Sequence, residues 1–436
     1  MRSVAAASAI GTTIEWYDFL IYATAASLVL NKLFFPTHDP LVGKLLAIGT
    51  IGVGFFARPL GAIILSHFGD RLGRKSMLIL TLVSMGVATM LIGVLPTYEQ
   101  IGIAAPILLV LFRLVQGIAV GGEWGGAVLM AFEHSPPERR GFYGSIVQVG
   151  FPLGLALGTA SFFALGALDD AAFMAWGWRV PFIASALLVV IGVFIRRRIA
   201  ETPEFKRNVR EGNIARFPVW EAIVRHPKDL LLGLGVRITE ISWIYVITIF
   251  GLSYAVTNLG LSRSLVLGAI ALGAAIELIT IPAFGALSDR VGRRPVYVLG
   301  CVAAIALAYP IFWAIQTKDP TIVIAAFVVG MSVGHGIMYG VQASFLSEMF
   351  PSNVRYSGAS LGYQLAAPIG GGLVPIAAAA MVGSNHGSTG GVSLLMIGIA
   401  LVTLIAVIFA RETAPVILKR RAGRTGFTET AVTPTR

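Results

Sequence analysis

Charged residues and cysteine are scarce in this chain of 436 residues. Asp, Glu, Lys and Arg together make up 13% of the sequence, hydrophobic residues make up 56%, and the mean hydropathy is +0.81. So few charges cannot cover the surface of a soluble globular protein of this length. The chain is therefore predicted to lie in a lipid bilayer. The single cysteine, Cys301, excludes an intramolecular disulfide.

Motifs of the common enzyme and metal-protein classes are also missing. The sequence has no GxxxxGK[ST] phosphate-binding loop, so ATP hydrolysis is not expected. Its six histidines and one cysteine show no metal-ligand spacing. The sequence predicts no enzyme activity, no cofactor and no metal ion.

Two short basic loops recur at a distance of half the chain. They read GDRLGRK and SDRVGRR, and their aspartates, Asp70 and Asp289, are 219 residues apart. A second pattern, E-x-x-P-x-x-x-R, begins at Glu133 and recurs at Glu348. Such self-similarity predicts two homologous halves.

The repeated loop resembles the signature G-x-x-x-D-R-x-G-R-K/R of the major facilitator superfamily. The second copy matches this signature from Gly285, and the first copy has Ser66 in place of the leading glycine. The resemblance implies an all-α integral membrane protein with twelve transmembrane helices in two pseudo-symmetric six-helix halves. It also implies a cytoplasmic gate, formed by Asp70, Arg71, Arg74, Asp289, Arg290 and Arg293.

Apolar segments of about 20 residues joined by short loops leave room for roughly twelve transmembrane helices. We predict these helices at 8–34, 43–67, 77–95, 104–132, 141–167, 179–197, 231–259, 264–287, 296–316, 321–347, 356–383 and 391–410. The N-terminal half is then 1–198 and the C-terminal half is 231–410, with a linker at 199–230 and a tail at 411–436. The linker is predicted to be a partly helical tether, with a regulatory surface as the alternative.

Lys and Arg are unevenly distributed over the predicted loops. With the N-terminus inside, the cytoplasmic segments hold 25 of the 33 Lys and Arg, and the external segments hold five. The positive-inside rule therefore predicts that both termini are cytoplasmic. The net charge of +11 then reflects topology, so no nucleic-acid partner is expected. A monomer is the default expectation.

Ionisable residues inside the predicted helices mark the first candidates for function. Each costs about 2.5 to 3.5 kcal/mol at a helix centre, which favours a polar pathway with paired charges. The alternative, which applies first to Arg58 and Glu277, is that some form structural ion pairs or lie closer to a membrane interface. The eight residues are Glu15, Asp18, Arg58, Arg113, Glu123, Arg237, Glu240 and Glu277.

The first helix places Glu15 and Asp18 on one face, extended by Tyr22. Two carboxylates this close cannot both ionise easily in a medium of low dielectric constant, so one is expected to hold a proton near neutral pH. Asp18 is predicted to be the proton-coupling residue ahead of Glu15. Glu123 is held in reserve, and Glu240 is the candidate from the second half.

The fourth and seventh helices carry the predicted substrate anchors. Arg113 lies on one side of the fourth helix with Gln116 and Trp124, and its guanidinium suits a carboxylate because it donates bidentately. The 219-residue offset aligns Arg237 with Asp18, as expected of a midplane site between two halves. His335 is expected to be a satisfied helix residue. The predicted substrate-binding residues are Tyr22, Arg58, Arg113, Gln116, Trp124, Arg237, Tyr339, Gln342, Tyr363 and Gln364.

Three segments, EWYDF, NKLFFP and GGEWGG, resemble the metabolite:proton symporter branch of the superfamily, and the seventh helix is most similar to that of shikimate transporters. The resemblance implies a bacterial inner-membrane protein that imports a small hydrophilic organic acid with protons. A shikimate-like hydroxylated monocarboxylate is the first substrate expected. A dicarboxylate and a zwitterionic osmolyte are the alternatives. Drug antiport and a ligand sensor built on a transporter fold are the rival functions.

Overall fold

The computed structural model describes residues 2–36, 40–165, 168–384 and 387–424. In these ranges the chain forms twelve long helices, which we number α1 to α12, and no strand. All twelve helices overlap the predicted spans. The prediction of an all-α membrane protein with two six-helix halves is confirmed.

The first half contains α1 to α6. α1 runs over Arg2–Ala25 and continues through Ala26–Leu30 and Asn31–Leu33. The others are α2 at Pro40–Leu72, α3 at Arg74–Val94, α4 at Ala104–His134, α5 at Pro137–Leu165 and α6 at Gly177–Arg197.

The second half contains α7 to α12. These helices are α7 at Pro227–Asn258, α8 at Arg263–Val291, α9 at Arg293–Gln316, α10 at Pro320–Glu348, α11 at Arg355–Gly383 and α12 at Gly390–Phe409. Among the described residues, α3 to α12 are each long and apolar enough to cross a membrane. Shorter helices occupy the linker, at Pro203–Arg210 and Pro218–Arg225, and the tail, at Pro415–Arg424. Residues 425–436 of the predicted tail lie outside the described residues.

The two basic loops are tight turns that need glycine. Gly73 separates α2 from α3 with φ 105°, and Gly292 separates α8 from α9 with φ 111°. Positive φ is easily adopted only by a residue without a Cβ atom. Each glycine ends its turn, and the next helix begins at the following residue. Arg74 and Arg293 are therefore the first residues of α3 and α9. Both loops lie at one end of the bundle, which we call the basic end.

Small residues allow close helix packing within the first half. A Cβ atom on Gly121 of α4 would overlap the backbone of α2 at Arg58. Cβ atoms on Gly150 and Gly154 of α5 would lie 2.7 Å from Thr12 and 2.6 Å from Trp16 of α1. Close contact through small residues is the usual means of helix association in lipid.

Two equivalent helix pairs contribute to the interface between the two halves. α2 of the first half packs against α11 of the second, and α5 packs against α8. The boundaries that we predict for the halves, linker and tail remain predictions. The interface between the halves surrounds the polar residues that the sequence analysis selected.

Candidate functional site

All ten predicted substrate-binding residues are buried at the centre of the bundle. None is more than 4% exposed. They come from α1, α2 and α4 of the first half and from α7, α10 and α11 of the second half. The structure therefore shows this site closed to solvent.

Arg58 of α2 lies in a cage of aromatic rings. Its guanidinium carbon is 4.6 Å from the ring centroids of both Phe19 and Phe55, and 5.7 Å from that of Trp16. Within the described ranges, its Nε and Nη2 atoms find no hydrogen-bond acceptor, and no carboxylate forms an ion pair with it. The rings compensate part of the cost of burying this charge through cation–π contact. The free donors suit an anionic ligand.

Arg113 of α4 is held by neighbours that are not charged. Its Nη1 donates to Gln116 Oε1 at 2.8 Å, and Gln116 Nε2 in turn donates to Thr89 Oγ1 at 2.8 Å. The guanidinium carbon lies 3.9 Å from the ring centroid of Tyr22. In the part of the chain that the structure describes, Nη2 has no acceptor and no carboxylate pairs with this residue. In this structure Gln116 therefore orients Arg113.

Arg237 of α7 differs because its charge is already neutralised. It forms an ion pair with Glu240 one turn later, and its Nη1 donates to Gln342 Oε1 at 3.0 Å. Gln342 also donates from Nε2 to the hydroxyl of Tyr297 at 3.0 Å. The guanidinium carbon lies 3.8 Å from the ring centroid of Tyr363.

Tyr245 of α7 lies near the three arginines and was not among the predicted site residues. Its phenol lies within electrostatic range of Arg58, Arg237 and Arg113, and its ring centroid is 5.2 Å from that of Phe55. The sequence feature that could have identified Tyr245 is its position eight residues, or about two helical turns, after Arg237 on α7.

Trp124, Tyr363 and Gln364 join the two halves. The rings of Trp124 and Tyr363 stack with centroids 3.6 Å apart, and Gln364 Nε2 donates to the carbonyl of Val120 at 3.1 Å. Trp124 Nε1 donates to Gln148 Oε1 at 3.0 Å. In this structure Trp124 and Tyr363 therefore contact each other across the interface, and Gln364 contacts the backbone of α4.

His335 of α10 lies between two buried carboxylates. Its Nε2 is 2.8 Å from Glu240 Oε1, and its Nδ1 is 2.5 Å from Glu277 Oε1. A neutral imidazole has one N–H group, so two carboxylate contacts require an extra proton on the imidazole or on one carboxyl group. We call Arg237, Glu240, His335 and Glu277 the relay cluster. His335 is satisfied, as expected, but no sequence pattern indicates that both of its partners are acids.

Glu123 of α4 is held in an ion pair with Arg196. Both terminal nitrogens of Arg196 donate to this carboxylate, and the hydroxyl of Thr81 donates to Oε2 at 2.5 Å. Glu15 borders the same small void as Glu123. Arg196, at the end of the predicted helix 179–197, is one of the 25 Lys and Arg counted above as cytoplasmic. Its side chain is instead buried, because it extends from the end of α6 back into the bundle.

Asp18 of α1 faces α6 in this structure. The hydroxyl of Ser185 donates to its Oδ1 at 2.5 Å. No ion pair between Asp18 and Arg237 is formed among the described residues, so the pairing suggested by the repeat alignment is not present in this state. The reason is that Arg237 is occupied by Glu240 and Gln342.

The two repeated aspartates link the halves reciprocally at the basic end. Asp70 accepts hydrogen bonds from the backbone N–H of Ser357 at 2.9 Å and from its hydroxyl at 2.9 Å, at the start of α11. Asp289 accepts from the backbone N–H groups of Gly141 and Phe142, at 2.8 and 2.9 Å, near the start of α5. Each aspartate therefore satisfies free N–H groups at a helix N-terminus of the other half. The basic end is closed.

Buried arginines hold each aspartate in place. Arg74 lies 3.5 Å from Asp70 and 3.4 Å from Glu133. In the second half, Arg293 lies 2.8 Å from Asp289 and 3.1 Å from Glu348. The repeated pattern that begins at Glu133 and Glu348 thus belongs to the same gate.

Arg71 and Arg290 were predicted to belong to this gate, and the structure does not place them there. Both side chains are exposed, and neither forms an ion pair within the described ranges. The physical reason is helical geometry, since the residue next to each aspartate points away from the face that carries Asp70 and Arg74.

Glu204 in the first linker helix adds a contact that sequence reasoning missed. It forms ion pairs with Arg140 of α5, at 2.9 Å, and with Arg355 of α11. Burial raises the pKa of Glu204, but the positive charges of Arg355 and Arg140 outweigh burial and lower it below its usual value. The carboxylate therefore stays ionised at neutral pH, and the linker contributes to closure.

A further sequence repeat contains two glutamates that cap helices at the basic end. Glu201 accepts from the backbone N–H of Lys75 at 3.1 Å, and Glu412 accepts from that of Arg294 at 3.0 Å. Each glutamate follows the last helix of its half, precedes a threonine and caps the helix after a basic loop. The recurring Glu-Thr pair would have identified both.

Asp70→Asn is expected to open the basic end, because an amide loses the charge that favours contact with the N-terminus of α11. In a Cys301→Ala background, a cysteine introduced at Ser360, a buried position on α11, should react faster with a membrane-impermeant thiol reagent in the Asp70→Asn protein. Arg71→Gln is the matched control because Arg71 is exposed. Equal labelling rates in the Asp70→Asn and parent proteins would show that Asp70 does not hold the basic end closed.

The comparisons with known proteins agree on one family. A protein-family model for the Major Facilitator Superfamily matches residues 9–375. The shikimate transporter of Escherichia coli (strain K12) is 41% identical over 414 residues, which cover 94% of each chain. The proline/betaine transporter of Salmonella typhimurium is 36% identical over 427 residues, or 95% of this chain and 84% of that protein.

Solved structures with the same fold are more distant in sequence. The proton:xylose symporter XylE bound to 6-bromo-6-deoxy-D-glucose has a TM-score of 0.76 at 17% identity, over 94% of this chain and 96% of that chain. The inward open conformation of XylE from E. coli has a TM-score of 0.63 at 15% identity, over 95% and 97% of the two chains. At these identities the likeness shows the fold.

Proposed function

The chain belongs to the Major Facilitator Superfamily, and from that membership we propose that it imports a small hydrophilic organic acid together with protons. The protein is a membrane transporter and not an enzyme. Our first substrate is a shikimate-like hydroxylated monocarboxylate. Two buried arginines without carboxylate partners carry this proposal.

Arg58 and Arg113 are the proposed anchors. A buried charge without an ion pair is costly, and a substrate carboxylate would supply negative charge beside both arginines, of which only Arg58 has an acid, Glu15, within electrostatic range. Tyr245 lies within electrostatic range of both, and its phenol and that of Tyr22 suit the hydroxyl groups of a substrate. The 41% identity with a shikimate transporter supports the same substrate class.

The alternative substrates differ in the charges that they need. A dicarboxylate would bridge Arg58 and Arg113, since Arg237 is paired with Glu240. A zwitterionic osmolyte, favoured by the 36% identity with a proline/betaine transporter, would need a carboxylate for its ammonium group. Two arginines without acidic partners in the described ranges fit an anion better.

We assign the coupled proton to the relay cluster. With the extra proton on His335 or on a carboxyl group, the net charge of the cluster is zero. Loss of that proton would leave a buried net negative charge, which is unfavourable. Arg237 lies within electrostatic range of Tyr245, as do the proposed anchors Arg58 and Arg113. Glu15, Asp18 and Glu123 remain the alternative coupling residues.

The proposed topology follows from the basic loops. We place the basic end in the cytoplasm of a bacterial cell, with both termini on that side of the inner membrane. Rocking of the two halves would break the reciprocal aspartate contacts and open the central site to the cytoplasm.

Transport into proteoliposomes tests this function. With an alkaline interior, labelled shikimate should accumulate, and collapse of the pH gradient should release it. One proton carried with a monoanion is electroneutral, so the driving force is about 1.4 kcal/mol per tenfold proton gradient. Competition by unlabelled acids and betaine ranks the substrate classes. Binding without accumulation would show instead that the protein is a sensor.

A further inference from the structure

We propose that the second linker helix, Pro218–Arg225, lies in the surface of the membrane at the basic end and binds anionic phospholipid there. The two faces of this helix, its position and the charges around it favour lipid binding, whichever substrate is transported.

The helix exposes a large apolar face. Phe217, Trp220 and Val224 are 55%, 67% and 55% exposed and follow one another at helical spacing. On the opposite side, Val219 and Ala222 are buried, and Ala222 packs with Val354 at the start of α11. A tether in water would gain nothing from exposing such side chains, whereas an interfacial helix buries them in lipid.

The position of this face points to lipid. The helix packs against the ends of α2, α7 and α11. The ring of Phe217 lies 6.4 Å from that of His67 on α2, beside Phe68. Phe68 belongs to a stripe in which every fourth residue of α2 is a large exposed apolar side chain; the stripe consists of Leu60, Ile64, Phe68 and Leu72. The apolar face of the linker helix continues this lipid-facing stripe.

Exposed basic residues flank the apolar face. Arg216 and Lys228 are exposed, and the side chain of Arg225 is 73% exposed while its Nη1 donates to Glu221 at 3.1 Å. Trp220 is of the residue type that is enriched at membrane surfaces. Clustered Lys and Arg beside a membrane attract anionic lipid headgroups. A phospholipid bilayer with anionic headgroups is therefore the partner that fits.

The helix contacts both halves, so its position in the membrane is expected to affect opening of the basic end. It packs on α2 of the first half and on α11 of the second, the pair that Asp70 links. When the halves separate at the basic end, the helix must move relative to at least one of them. Anionic lipid would hold the linker in place and favour the closed state.

Spin labels on this helix test the proposal. In the full-length Cys301→Ala protein, nitroxides are attached to Trp220→Cys or Val224→Cys and the protein is placed in phosphatidylglycerol-rich nanodiscs. Collisions with oxygen should exceed those with a polar nickel chelate, and the depth should be about 5–10 Å below the headgroup surface. Glu211→Cys, an exposed position in the turn between the two linker helices, should show the reverse.

Two results would overturn the proposal. Equal access of the nickel chelate to positions 220 and 211 would place the helix in water. Protection of position 220 from both oxygen and the chelate would show that protein covers the face. In phosphatidylcholine nanodiscs the labels should become shallower, and an unchanged depth would refute the role of anionic headgroups. All labels lie on exposed side chains, so the fold should tolerate them.

Discussion

Arg58→Gln and Arg113→Gln are each expected to weaken carboxylate binding by roughly tenfold to a hundredfold. Each substitution removes a charge-assisted hydrogen bond, worth about 1.5–3 kcal/mol, and 1.4 kcal/mol corresponds to about tenfold in Kd. The double variant should bind no measurable ligand. Neither arginine forms an ion pair in the described ranges, so the fold should persist; Glu15 is the one buried acid within electrostatic range of Arg58 that the described residues show. Titration calorimetry with shikimate measures the effect.

Two further variants make this result interpretable. Arg113→Lys keeps the positive charge but loses the planar guanidinium that donates two hydrogen bonds to one carboxylate, so it should bind with intermediate affinity. Arg71→Gln removes an exposed charge and should bind like the parent protein. Unchanged affinity in both Arg58→Gln and Arg113→Gln would move the anchor to Arg237 and reject the proposed site.

Glu277→Gln is expected to uncouple transport from protons. Glutamine mimics a permanently protonated carboxyl group and retains a hydrogen bond to His335, so the central packing should survive. In proteoliposomes the variant should exchange labelled for unlabelled substrate at a substantial rate. It should fail to concentrate substrate when a pH gradient is imposed, losing about tenfold accumulation per pH unit.

Asp18→Asn is the matched comparison, because Asp18 is a buried carboxyl group bonded to Ser185 and outside the relay cluster. If the cluster carries the proton, Asp18→Asn should still accumulate substrate. The opposite pattern, with accumulation retained by Glu277→Gln and lost by Asp18→Asn, would assign coupling to Asp18, as the repeat alignment suggested.

The helices and the midplane arginines could be predicted because each depends on local sequence. An apolar run of sufficient length specifies a membrane helix whatever its neighbours are. The charge of Arg58 or Arg113 within such a run is conspicuous for the same reason. Tight turns at Gly73 and Gly292 follow from the basic loops alone.

The partners of these residues could not be predicted because they depend on how helices face one another. His335 meets Glu240 and Glu277 only when α7, α8 and α10 pack together, and no spacing along the chain encodes that contact. Arg196 was assigned by its place at the end of α6, but a long side chain can point either way from a helix end. Pairing across helices was thus the missing information.

The reciprocal contacts of Asp70 and Asp289 make the two halves of this chain behave like the subunits of a homodimer. In an isologous interface, the patch that one subunit presents is the patch that its partner presents in return. Here each half supplies one carboxylate and one receiving helix terminus. The order of the halves along the chain is then immaterial to their recognition. A circularly permuted protein that begins with the second half would retain both contacts, because each half carries its own aspartate and its own receiving helix N-terminus.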